Sequence, residues 1–79
     1  EAVAASGTRE NEILDRRMAI VRVFDRMDAK EADILRLFYY DDFSIKEISE
    51  IISVGESAAK MRLKRAREKF ARIWNEQRK

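Results

Sequence analysis

The sequence predicts an all-α, four-helix domain containing a helix-turn-helix, a tetrahelical relative of the winged-helix plan without the wing. Three observations carry this. Apolar residues recur at three- and four-residue intervals in four successive segments, the period of helices that each bury one face. Two of the breaks carry capping-box signatures, Asp28 with Glu31 and Ser44 with Glu47. With no proline and two glycines among 79 residues, the chain lacks the turn residues of a many-turned β fold.

Residues 1–11 are small and polar with Gly7 in their midst, and they read as a flexible linker preceding a domain over 12–79. The first helix is expected from about Glu12 to Met27. Its stripe is Ile13, Ile20, Phe24 and Met27, with Val21 and Val23 flanking. Asp28 caps a second helix that reaches about Tyr40 and buries Ile34, Leu35 and Phe38. Phe38, Tyr39 and Tyr40 are adjacent, so they cannot all face one core. At least one ring is expected at the surface. Covering the end of a thin core is favoured over docking a partner, about two to one. Asp41 and Asp42 form the following turn; two carboxylates without further ligands are an ordinary turn before they are a cation site.

Ser44 starts a third helix with the stripe Ile45, Ile48, Ile51 and Ile52, and the small Ser49 suits a close helix crossing. Ser53–Glu56 form the next turn, in which Val54 tucks between helices and Gly55 supplies backbone latitude. The fourth helix begins near Ser57 and runs to about Gln77, burying Ala59, Leu63, Ala66, Phe70, Ile73 and Trp74. The small first half permits close packing on the third helix. The large second half is expected against the first helix.

Hydrophobic residues make up 46% and charged residues 41%, enough to fold one small domain with a thin core and a highly charged surface. The absence of cysteine and histidine excludes disulfides, thiolate or imidazole metal sites, and catalysis by either residue. The carboxylates are scattered over helix ends and no glycine-rich phosphate loop is present, so neither an enzyme nor a cofactor or metal site is expected. No apolar run is long enough for a membrane span or a signal peptide, and a cytoplasmic setting is the default.

The net charge of +2 conceals a division: residues 60–79 carry nine Lys or Arg against two Glu, leaving residues 1–59 net acidic. A basic helix on an acidic body is a directional anion-binding face or a solvated terminal helix, and charge alone weighs the two evenly. The helix-turn break before it favours a duplex. Ser57, Ala58 and the first-turn amides can meet a phosphate. Arg65 is the best candidate for bidentate contact with guanine, Lys64 for its O6 or N7, and Met61 for a thymine methyl. Lys46, Lys60, Arg62, Arg67 and Lys69 complete the candidate set, with Lys46, Arg62, Arg67 and Lys69 suited to phosphates.

Met27 through Phe70 resembles region 4 of bacterial sigma-70 family sigma factors, most closely the extracytoplasmic-function (ECF) group. The matching residues are Phe43-Ser44, Glu47-Ile48, Glu50-Ile51, Lys60, Arg62-Leu63 and Arg65-Ala66-Arg67-Glu68. The run Lys60 to Glu68, at its distance from Ser44 to Ile51, is the most specific part. Asp28 replaces the family's proline, Ser53 its turn glycine, and Phe38 an arginine common before the third helix. Gly55-Glu56-Ser57-Ala58 stands for its Ser-Val-Gly-Thr, and Met61 for a small polar residue.

The resemblance implies a transcription initiation factor domain that binds double-stranded promoter DNA at the −35 element. It further implies docking on the β flap of RNA polymerase core, and control by an anti-sigma factor over the same surfaces. The protein-docking candidates are Leu37, Phe38, Tyr39 and Tyr40. Residues 1–11 would be the remains of an interdomain linker. Two alternatives are a LuxR-type response-regulator output domain and a sigma-like mimic that binds an anti-sigma protein without DNA. The Lys60–Glu68 run disfavours the first, and the retained basic helix disfavours the second.

Overall fold

A computed structural model describes the backbone of residues 2–78 and the side chains of residues 10–78. Its elements are α1 (Ala2–Asp25), α2 (Ala29–Tyr39), α3 (Ile45–Ile51) and α4 (Glu56–Gln77), with no strand among the described residues. The fourth helix is the hub. It packs on each of the other three, and α2 also packs on α3.

The helix α1 is longer than its apolar period predicts. Its backbone is helical from Ala2, where the small polar composition of residues 2–11 signals irregular chain. The core-facing side is also rotated from the expected stripe. Val23 is fully buried and Met27 nearly so, Ile20 and Phe24 lie at the rim, and Ile13 and Val21 are exposed. The reason is the reach of α4. Gln77 Nε2, at the end of that helix, donates to the Ala19 carbonyl at 3.3 Å, so α1 N-terminal to this level has no helix to pack on.

At the start of α2, the Asp28 amide donates to Glu31 Oε1 at 3.2 Å. This satisfies a donor that the helix itself leaves free. Ala32, Ile34 and Leu35 are buried as the spacing requires, and Phe38 is half-buried against the same core. The helix closes when the amides of Asp41 and Phe43 return to the carbonyls of Arg36 and Leu37, each at 3.0 Å, with Asp42 at φ 58. An aspartate tolerates this left-handed backbone better than most residues.

Ser44 forms the complete capping box of α3. Its Oγ accepts from the Glu47 amide at 3.1 Å, and its own amide donates to Glu47 Oε1 at 2.8 Å. The Ser44 amide chiefly, and the Ser44 hydroxyl beside it, hold the Glu47 carboxyl below the usual carboxylate range. Ile48 is completely buried and Ile45 and Ile52 half-buried, but Ile51 is 51% exposed. The expected four-isoleucine stripe therefore loses a member. The buried arc is centred between Ile48 and Ser49, and Ile51 points about 110° away from it. Ser49 is buried, and its hydroxyl donates to the Lys46 carbonyl at 2.6 Å, so no unpaired polar group results.

The turn between α3 and α4 corrects the role given to glycine. Gly55 sits at φ −70 and ψ 163, ordinary extended backbone, and a Cβ there would meet nothing within 4 Å. The left-handed residue is Ser53, at φ 59. Val54 is half-buried against the core, as expected, with its amide bonded to the Ser49 carbonyl at 2.9 Å.

Candidate nucleic-acid interface

The helix α4 buries Ala59, Leu63, Ala66 and Ile73, with Phe70 and Trp74 packed at the rim of the same core. Those residues share one side at about 100° per residue. Their burial turns Ser57, Met61, Lys64, Arg65 and Glu68 outward, and all five are exposed. Lys60 and Arg67 lie along one flank and Arg62 along the other, also exposed. Ala58 is exposed in the first turn, and Lys46 in the first turn of α3. Among the described residues, no ion pair engages Lys46, Lys60, Arg62, Lys64 or Arg65.

The N-terminus of α4 differs in kind from that of α3. Gly55 occupies the N-cap and no side chain accepts from the first-turn amides. The donors of Glu56, Ser57 and Ala58 are therefore available to an external acceptor, and the helix dipole favours an anionic one. Glu56, exposed at the first helical position, sets a carboxylate beside them.

Two cations of the candidate set are held by the protein itself. Lys69 is half-buried, with Nζ 3.0 Å from Glu31 Oε1 at the start of α2. Its hydrogen bond is the main cause holding the Glu31 carboxyl below the usual carboxylate range, with partial burial opposing it and the Asp28 amide assisting. Lys69 thus tethers α4 to α2 instead of standing free with the other cations. Arg67 remains exposed but donates from Nη1 to Tyr39 Oη at 3.3 Å, touching the C-terminal end of α2. Local spacing carries no signal for either contact, because the partners lie 38 and 28 residues away.

On the opposite side of α4, an apolar groove of ≈ 300 Å³ runs between α1, the end of α2 and α4. Its walls are Ile20, Phe24, Leu35, Tyr39, Tyr40 and Phe70, with Arg67 at the rim. Phe24 anchors it, meeting Phe70 edge-on at 5.6 Å and Tyr40 at 6.2 Å, with the Arg36 guanidinium 4.7 Å from its ring centre. The four docking candidates divide here. Leu37 and Phe38 are half-buried against the core, whereas Tyr39 and Tyr40 are exposed at the groove. The aromatic cluster is therefore both core cover and surface.

No group of three acids able to hold a metal ion occurs among the described residues, and no helix of the described residues is long and apolar enough to cross a membrane. No curated protein and no solved structure matches the chain. The family model for sigma-70, region 4 matches residues 17–70, which takes in the end of α1, all of α2 and α3, and the basic part of α4. A four-helix domain whose exposed basic helix follows a tight turn, matched over more than half its length, belongs to the sigma-70 region 4 family, the DNA-binding helix-turn-helix of transcription initiation factors.

Proposed function

We propose that this domain recognises a promoter −35 element by laying the first half of α4 in the major groove. The observation that carries the proposal is the coincidence of an uncapped α4 N-terminus with an outward face of exposed cations. In this reading a phosphate oxygen takes the open amides of Ser57 and Ala58, and Arg65 and Lys64 read guanine edges. Met61 meets a thymine methyl, while Lys46, Lys60, Arg62 and Arg67 fix register on phosphates. Lys69 is left to its structural pair with Glu31.

The protein-facing half of the proposal uses the groove. Tyr39 and Tyr40, supported by Leu37 and Phe38, form the surface that docks on the β flap of RNA polymerase core and that an anti-sigma factor covers. The domain then works in the cytoplasm, at the nucleoid, as the promoter-reading end of an ECF-type sigma factor.

The test is duplex binding with RNA polymerase core present and absent, read by footprinting on DNA selected for binding. Binding to a −35-like duplex that falls steeply with added salt is the expected outcome, since phosphate neutralisation releases counterions. Retention of a protein partner at every salt concentration, with no protected DNA, would replace this reading with the mimic.

A further inference from the structure

The helix α1 has two apolar sides, and only one is used. Val23 and Met27 face the core, while Leu14, Met18 and Val21 face away from it at 55%, 51% and 46% exposure. The outward three are spaced by four and three residues, so they form a single stripe. A surface helix of a monomer carries one such stripe, and a second one marks a face that another helix covers. The rest of the domain cannot supply that helix, because α4, which packs on the inward side, ends level with Ala19.

We propose that this face is a self-association surface, in which two copies of the chain pair α1 antiparallel about a two-fold axis near Met18. The charges select this occupant. Asp15 and Arg22 lie on the same edge of the stripe, two turns apart, on either side of Met18. An antiparallel pair sets Asp15 of each copy against Arg22 of the other, Leu14 against Val21, and Met18 against its counterpart. A parallel pair would instead lay each edge on the partner's opposite edge, Asp15 beside Glu10 and Arg22 beside Arg17, like charge on like along both sides. On the other edge the antiparallel pair brings Arg17 near its own counterpart, one repulsion against the two Asp15–Arg22 attractions. The groups that cover the stripe are thus already present on the stripe itself, the condition for an isologous interface. Three apolar residues per copy lie at the small end of specific interfaces, so the association is weak and appears at high concentration.

Sedimentation equilibrium on the whole chain, from about 10 µM to about 1 mM, reads it directly. The apparent mass is expected to climb from 9.3 kDa towards twice that value. Met18→Lys changes an exposed side chain, so the fold survives, as circular dichroism would verify, and association weakens by about tenfold or more. Asp15→Arg alone and Arg22→Asp alone each weaken it. An equimolar mixture of those two variants associates more strongly than either alone, because every facing pair is then of opposite sign. A chain that stays monomeric throughout, association indifferent to Met18→Lys, or a mixture no stronger than its components would each overturn the proposal.

Discussion

The two halves of α4 are one continuous helix, yet they obey different rules. From Glu56 to about Arg65 the buried positions are Ala59 and Leu63, and the cations Lys60, Arg62, Lys64 and Arg65 stand free of ion pairs among the described residues. From Ala66 onward the core side gains Phe70, Ile73 and Trp74, and two of the charges are tied to other helices. Lys69 pairs with Glu31, and Glu76 pairs with Arg26 of α1 at 3.1 Å. The first half spends its charge outward and packs with small residues. The second half holds the domain together. Stability and binding should therefore separate along the helix.

The largest effect belongs to the second half. Ile73→Ala removes a nearly buried side chain from the seam between α4 and α1, and a cavity of this kind costs about 2–4 kcal/mol. In a domain this small that is a large fraction of the total stability. Urea denaturation followed by circular dichroism should show the midpoint collapsing. The contrast between the halves fails if Lys64→Ala destabilises by a similar amount.

Next comes the first half. Arg65→Ala should lower affinity for the preferred duplex by about 1–3 kcal/mol while leaving the urea midpoint within about 0.5 kcal/mol. Its effect on random DNA should be much smaller, since a base contact is lost more than a phosphate contact. An equal loss on both duplexes, measured by fluorescence anisotropy at fixed salt, would remove the base-reading role from Arg65.

Much of this division is legible in the residues. The core side of α4, with Ala59, Leu63, Ala66 and Ile73 buried and Phe70 and Trp74 at its rim, follows from period, and the helix starts at Asp28 and Ser44 follow from their capping residues. Two kinds of feature are not. Long-range pairing escapes local pattern: nothing near Lys69 announces Glu31, and nothing near Arg67 announces Tyr39. Rotation of a short helix also escapes it. On so short a helix, Ile45, Ile48, Ile51 and the cap residue Ile52 fit one stripe by spacing, and only the position of α4 decides that Ile51 is the one left out. The extent of α1 is hidden for a related reason, because residues 2–11 form helix without an apolar period to declare it.

The Lys69–Glu31 pair tests the boundary between the halves. Glu31→Gln should cost about 0.5–1 kcal/mol at neutral pH, the range of partly exposed ion pairs. Lys69→Met should cost the same, and the double variant little more than either alone. The Glu31 carboxyl is depressed in the folded state, so its contribution is complete above the unfolded value of 4.5. It disappears as pH falls through the lower folded value. Wild type and Glu31→Gln should therefore converge in stability on acidification. If Lys69→Met also flattened the salt dependence of DNA binding as much as Arg62→Ala does, Lys69 would belong with the phosphate-contacting residues after all.

The smallest effect lies at the turn that opens the first half. Ser53 occupies the left-handed region without being glycine, and Ser53→Gly should add about 0.5–1 kcal/mol, the relief of that strain less the added chain entropy. Gly55 is the reverse case: its backbone suits any residue and a side chain has room. Gly55→Asp should therefore stabilise by a few tenths of a kcal/mol, by capping the α4 amides as Ser44 caps those of α3. The same carboxylate would occupy the donors that a phosphate needs and repel the phosphate itself. Gly55→Asp is thus expected to raise the urea midpoint while weakening duplex binding, whereas Ser53→Gly raises the midpoint and leaves binding unchanged. If both variants bind DNA alike, the open N-terminus of α4 has no part in recognition.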